Sequence, residues 1–191
     1  CTLGNGYVGT RGAVPETTAT LVHYPGTYIA GVYNTMPTEI AGRTIVNEDF
    51  VNCPNWLMMN YCINDGPWFN RLAVKILSWK MELNMRKGIL SRRLRWQDDK
   101  GRITLVENHR LVSMADLHLC ALRCTITPEN YDGRITIRSG IDGLVLNKGV
   151  ERYKQLNPKH LEPFRHGSFG KSGIFMQVRT IQSRIQITEA Q

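Results

Sequence analysis

Leu90-Ser91-Arg92-Arg93-Leu94-Arg95-Trp96, the turn Asp98-Asp99-Lys100-Gly101 and the run from Arg102 to Val112 decide how this chain folds. Basic residues alternate there with Leu, Trp and Ile, as in strands that bury one face. The Asp- and Gly-containing turn reverses the chain, so the two runs read as a hairpin. Leu117 to Thr127 follows as an apolar, β-branched run, ended by the turn Pro128-Glu129-Asn130-Tyr131-Asp132-Gly133. Arg134 to Ile141 then alternates Ile135 and Ile137 with Thr136 and Arg138.

The same signals recur on either side. Leu57 to Ile63 is a short apolar run ended by Asn64-Asp65-Gly66-Pro67. Asn70 to Arg86 is the best helix candidate, but Trp79, Met81, Leu83 and Met85 fall two apart, which favours a strand. Gly173 to Val178 and Arg179 to Thr188 read as extended. Asn147 to Gly170 is long, polar and broken by Asn157-Pro158 and Glu162-Pro163, so it is expected to be a surface excursion. Strands separated by turn signals point to an all-β, antiparallel β-sandwich, with residues 1–191 as a single domain.

Bulk properties narrow the class. A 42% hydrophobic and 21% charged composition is that of an ordinary soluble globular protein, and no run reaches the roughly 18 apolar residues of a membrane helix. The formal charge of +8 invites a nucleic-acid reading, and residues 86–110 carry eight Lys or Arg against three acids. Their alternation with apolar residues favours strands with solvated basic edges instead, and no nucleic-acid partner is expected. Cys1, Cys53, Cys62, Cys120 and Cys124 are odd in number and scattered, which points to free thiols in a reducing cytoplasm. Cys120 and Cys124 lie four residues apart on an expected strand, a span of about 13 Å, too far for one zinc. No metal site is expected.

The glycine-rich start, Leu3-Gly4-Asn5-Gly6-Tyr7-Val8-Gly9-Thr10-Arg11-Gly12, contains a literal G-x-G-x-x-G. A dinucleotide fingerprint needs a strand before it, a helix after it and an acid about twenty residues on. Only three residues precede Gly4, the following segment holds Gly12 and Pro15, and no Asp or Glu lies between Glu16 and Glu39. The glycines are expected to shape an irregular, tightly turned loop.

That loop has informative company. Pro25-Gly26-Thr27-Tyr28-Ile29-Ala30-Gly31-Val32-Tyr33-Asn34, Val51-Asn52-Cys53-Pro54-Asn55-Trp56 and Leu83-Asn84-Met85-Arg86-Lys87-Gly88 follow in order. Val112-Ser113-Met114-Ala115-Asp116 and Arg138-Ser139-Gly140-Ile141-Asp142-Gly143 come later. Together they resemble the N-terminal domain of glycoside hydrolase family 65, from Leu3 to about Glu189. The resemblance implies a galactose mutarotase-like supersandwich that precedes a helical (α/α) barrel in the full enzyme. It implies an inverting reaction on an α-linked glucosyl disaccharide, by phosphorolysis or hydrolysis, with no cofactor and with inorganic phosphate as co-substrate of a phosphorylase. The general-acid glutamate and phosphate site would lie in the barrel, whose motif does not occur here. The chain is thus expected to be truncated at both ends and inactive alone, packing against its own barrel in a homodimeric, cytoplasmic enzyme.

No catalytic residue is assigned. Glu48-Asp49, Asp65, Asp98-Asp99, Asp116 and Asp142 read as turn formers and surface acids, and His23, His109, His118, His160 and His166 are dispersed. The substrate-rim or domain-interface candidates are Asn5, Tyr7 and Arg11 in the first loop, Tyr28, Tyr33 and Asn34 in the second, and Trp56. Two alternatives are a stand-alone carbohydrate-binding module and a mutarotase-like sugar enzyme.

Overall fold

The computed structural model describes residues 1–20, 22–148 and 155–191. It is all-β, with antiparallel sheets throughout the registered pairings and one turn of 3-10 helix at Arg71–Ala73, in keeping with the expected sandwich class. The chain divides into two compact units that interleave in sequence: Cys1–Thr17 with Met59–Arg138, and Thr18–Met58 with Ser139–Gln191.

The first unit carries the hairpin that the sequence analysis starts from. Strands β1 (Thr2–Gly4) and β2 (Val8–Arg11) pair antiparallel. Strand β7 (Lys75–Asn84), β8 (Ile89–Gln97), β9 (Ile103–Val112) and β10 (Cys120–Pro128) form one four-stranded sheet in the order β10-β9-β8-β7. Alternation sends Leu90, Leu94 and Trp96 of β8 inward, and Leu94 and Trp96 pack with Tyr61, Ile63, Phe69 and Val106. Arg93, exposed on the other face, pairs with Glu107, and Arg95 pairs with Glu129.

In the second unit β4 (Tyr33–Ile40) and β5 (Arg43–Phe50) form a two-stranded ribbon, after the short β3 (Thr27–Ile29). Its turn places Ala41 at φ 50° and Gly42 at φ 73°, the double left-handed conformation of a tight hairpin. Strands β12 (Leu161–Phe169), β13 (Gly173–Thr180) and β14 (Gln186–Ala190) make a three-stranded sheet. Val32, Val51, Cys53, Leu161, Val178 and Ile187 form its core. Strands β6 (Asn55–Ile63) and β11 (Ile135–Asp142) pair with each other, and each contributes residues to both units.

Three expectations change. The glycine-rich start is a hairpin: only Gly6, at φ 89°, needs the left-handed region, while Gly4 and Gly9 are paired strand residues. The excursion from Asn147 to Gly170 contains strand β12; residues 149–154 lie outside the described ones. Pro163 is tolerated because β12 is an edge strand whose register shifts between Pro163 and Arg165. Arg179 to Thr188 is interrupted by a turn, with Arg184 at φ 57°, before β14 begins.

Candidate functional site

The seven candidates fall into two groups, one in each unit. Asn5, Tyr7 and Arg11 belong to the β1–β2 hairpin. Asn5 folds the turn by accepting from Tyr7 N at 3.0 Å and Val8 N at 2.9 Å through Oδ1. Its Nδ2 reaches across to the carbonyls of Ser113, at 2.6 Å, and Leu117. Tyr7 packs its ring on His118, centroids 4.4 Å apart. The loop is therefore strapped to the β9–β10 connection. Met114, Leu117 and Leu119 of that connection are exposed.

Arg11 is half-buried at the end of β2. Arg110 Nη1 donates to its carbonyl at 3.2 Å, and Nη2 donates to the Ala13 carbonyl at 2.8 Å. Arg110 itself is buried among Arg92 and Glu16, and its pKa is pushed down to about 10, first by burial and then by the Arg92 charge, with Glu16 opposing. A buried ionic cluster thus sets the backbone that presents Arg11.

In the second unit Tyr28 and Tyr33 come together through Phe50, which sequence analysis missed. Phe50 stacks on Tyr28 at 5.2 Å and on Tyr33 at 5.1 Å, both tilted by 28°. Tyr33 and Phe50 remain partly exposed, so the three rings form a surface patch. Asn34 points the other way and is 1% exposed. Its Oδ1 accepts from Gln182 N at 2.9 Å and Ser183 N at 3.0 Å, and its Nδ2 lies 3.1 Å from His160 Nδ1. His160 Nε2 lies 3.4 Å from Asp49 Oδ2, with both side chains inside. Burial lowers the imidazole pKa, with Asp49 acting the other way. Trp56 is half-buried, and its carbonyl accepts from Gln191 Nε2 at 3.3 Å.

The carboxylates do the work of turns and ion pairs. Asp98 Oδ1 accepts from Lys100 N and Arg102 N, and its pKa is lowered by Arg102 despite the opposing pull of partial burial. Asp116 accepts from His118 N, Asp65 pairs with Arg134, and Glu162 pairs with Arg179 and Arg184. Glycosidic bond chemistry sets two carboxyl groups across one sugar; the acids described here are instead engaged one by one. No group of three or more His, Cys, Asp or Glu among the described residues is placed to hold a metal ion.

The family profile described as glycosyl hydrolase family 65, N-terminal domain, matches residues 1–191. An uncharacterized glycosyl hydrolase of Mycobacterium tuberculosis is 42% identical over 100% of this chain, which covers 14% of that protein. Kojibiose phosphorylase of Thermoanaerobacter brockii is 34% identical over 97% of the chain and 22% of its own length. Trehalose 6-phosphate phosphorylase of Lactococcus lactis is 34% identical over 84% of the chain and 20% of its length. The chain therefore spans between 14% and 22% of the length of these relatives. With the profile covering every residue, the chain belongs to the glycosyl hydrolase family 65 N-terminal domain family.

Proposed function

We propose that this chain is the non-catalytic β domain of an enzyme that cleaves α-glucosides by phosphorolysis or hydrolysis, and that it shapes the pocket rim and packs against the catalytic barrel. The observation that carries this reading is the match to an N-terminal domain along the whole chain, at about a fifth of the length of phosphorylase relatives. The one-by-one engagement of the carboxylates supports it. The substrate would be an α-linked glucosyl disaccharide, with inorganic phosphate as co-substrate if the enzyme is a phosphorylase. Five free thiols support a reducing, cytoplasmic setting. Among the described residues no helix is long and apolar enough to cross a membrane.

The rim role is tested in the full enzyme by comparing Arg11→Ala with Arg134→Ala. Arg134 is exposed and pairs with the exposed Asp65, so its loss should be nearly neutral. Arg11→Ala should lower kcat/KM or loosen domain docking. Equal effects of the two would show that Arg11 serves the fold alone.

A further inference from the structure

One buried imidazole joins separate elements of the second unit. His160, just before β12, lies against Asn34 of β4 and Asp49 of β5. Its carbonyl accepts from Ile181 N at 2.9 Å, where the turn between β13 and β14 begins. Asn34, His160 and Asp49 are all buried.

The hydrogen bonds fix the protonation state of the ring. Asn34 Oδ1 accepts from Gln182 N at 2.9 Å and Ser183 N at 3.0 Å, so that end of the amide must be the oxygen. Nδ2 therefore faces His160 Nδ1, 3.1 Å away, and donates to it. Nδ1 must then be the bare, accepting nitrogen, and the ring proton sits on Nε2, 3.4 Å from Asp49 Oδ2. A proton added to Nδ1 sets N–H against N–H. Turning the amide over gives that proton an acceptor, but sets Nδ2 against two backbone N–H groups instead. Neither orientation satisfies a protonated ring.

We propose that Asn34 and His160 form a proton-sensitive latch, which holds the β4–β5 ribbon on the β13–β14 turn while the ring is neutral and releases it in acid. On the ribbon side, the Tyr33 carbonyl accepts from Ser183 Oγ at 2.7 Å, and the Tyr33 ring stacks on Phe50. Release of the turn therefore removes a support of the exposed aromatic patch. Burial lowers the ring's pKa and the Asp49 charge opposes it, so opening begins below the ordinary histidine value of about 6.5. Asp49 is the charged group that acts on the ring. Glu162 of β12 is taken up by Arg179 of β13 and Arg184 of the turn. Glu39 and Glu48 fall on the ribbon's other face, Arg43 lies at its far end, and Lys159 is exposed. The latch is independent of the reaction proposed above.

The test is amide hydrogen exchange of the chain at about pH 7.5 and about pH 5, read as protection factors so that the intrinsic pH dependence of exchange cancels. Protection at Gln182 and Ser183 should fall about tenfold or more beyond any change at the β9 amides in the other unit. Ring 15N shifts should place the proton on Nε2 near neutral pH. His160→Gln offers an uncharged oxygen to Asn34 and an uncharged amide to Asp49, so its protection at the two amides should follow β9 at both pH values. Asn34→Asp keeps an acceptor for both backbone groups and supplies one to a protonated Nδ1, so its protection there should hold or rise in acid. The melting temperature of each variant establishes that it folds; if neither does, the parent's ring shifts and amide protection decide. A ring proton on Nδ1 near neutral pH, parental protection at Gln182 and Ser183 that merely follows β9, or the parental acid loss in either folded variant overturns the proposal.

Discussion

Glu16 and Arg92 close a two-point carboxylate–guanidinium bridge inside the first unit, with side chains 4% and 6% exposed. Arg92 Nη1 donates to Oε2 at 2.7 Å and Nη2 donates to Oε1. Arg110 is buried in the same cluster and holds the carbonyls of Arg11 and Ala13. One carboxylate therefore balances two buried guanidinium groups, and the backbone leading to Arg11 hangs on the result.

Glu16→Leu leaves both cations buried without compensation and should cost about 3–5 kcal/mol in urea unfolding. Removing Arg92 as well, in Glu16→Leu/Arg92→Leu, should recover part of that loss, because the uncompensated charge goes with it. A double variant no more stable than the single would contradict this account.

Asn34→Ala removes the acceptor of two backbone donors, Gln182 N and Ser183 N, and the neighbour of His160. The expected loss is about 2 kcal/mol or more, read from the denaturant midpoint. A surface role alone would leave stability within about 0.5 kcal/mol of the parent.

His160 and Glu189 bend the stability curve in opposite directions. The imidazole pKa is depressed by burial, so its contribution is present above the ordinary value of about 6.5 and is lost as pH falls through the depressed one. His160→Gln should flatten the fall in stability between about pH 7 and pH 5. Parallel curves for parent and variant would show that the ring is not held neutral.

Glu189 has Oε2 shut off from solvent, and burial raises its pKa to about 8. Its folded state favours the protonated acid, so its contribution is present below the ordinary glutamate pKa and is lost as pH rises through about 8. Glu189→Gln should be more stable than the parent at alkaline pH, with the gap closing in acid. A gap of the same size at both ends would place the charge in solvent.

Thiol reactivity follows burial. Cys53 has its pKa pushed up to about 12, by burial first and Glu189 second, and Cys124 is raised to about 11. In native protein Cys1, which is exposed, should react quickly with a disulfide reagent, while Cys53 and Cys62 should not. Unfolding without reductant should release five thiols; three or fewer would contradict the reducing-compartment reading.

The strands that sequence made legible are those with a clean inside and outside. Leu90 to Trp96 lies within β8, Arg102 to Val112 differs from β9 by one residue, and Leu57 to Ile63 lies within β6. The β4–β5 ribbon gave less signal, because most of its residues are exposed and its turn uses Ala41 rather than a residue favouring left-handed backbone. Strand β12 was hidden by Pro163, which an edge position permits. The ionic cluster did leave a trace: Arg92 shares the parity of Leu90, Leu94 and Trp96, an arginine on the core face that demands a buried partner. Nothing local singled out Glu16 as that partner. Phe50 and Asp49 stood adjacent on one strand, and only the ribbon's register sends one to Tyr33 and the other to Asn34. The bonds that tie Asn52 and Tyr24 to residues 146 and 148 span more than ninety positions, beyond what spacing in one sequence reveals.

The most direct measurement is the activity of the pure 191-residue chain on kojibiose, trehalose, maltose and nigerose, with and without inorganic phosphate. The account predicts no glucose and no glucose 1-phosphate above a buffer blank, while the full-length enzyme cleaves at least one of these disaccharides. Release of either product by the chain alone would place catalytic groups within these residues and contradict the non-catalytic reading.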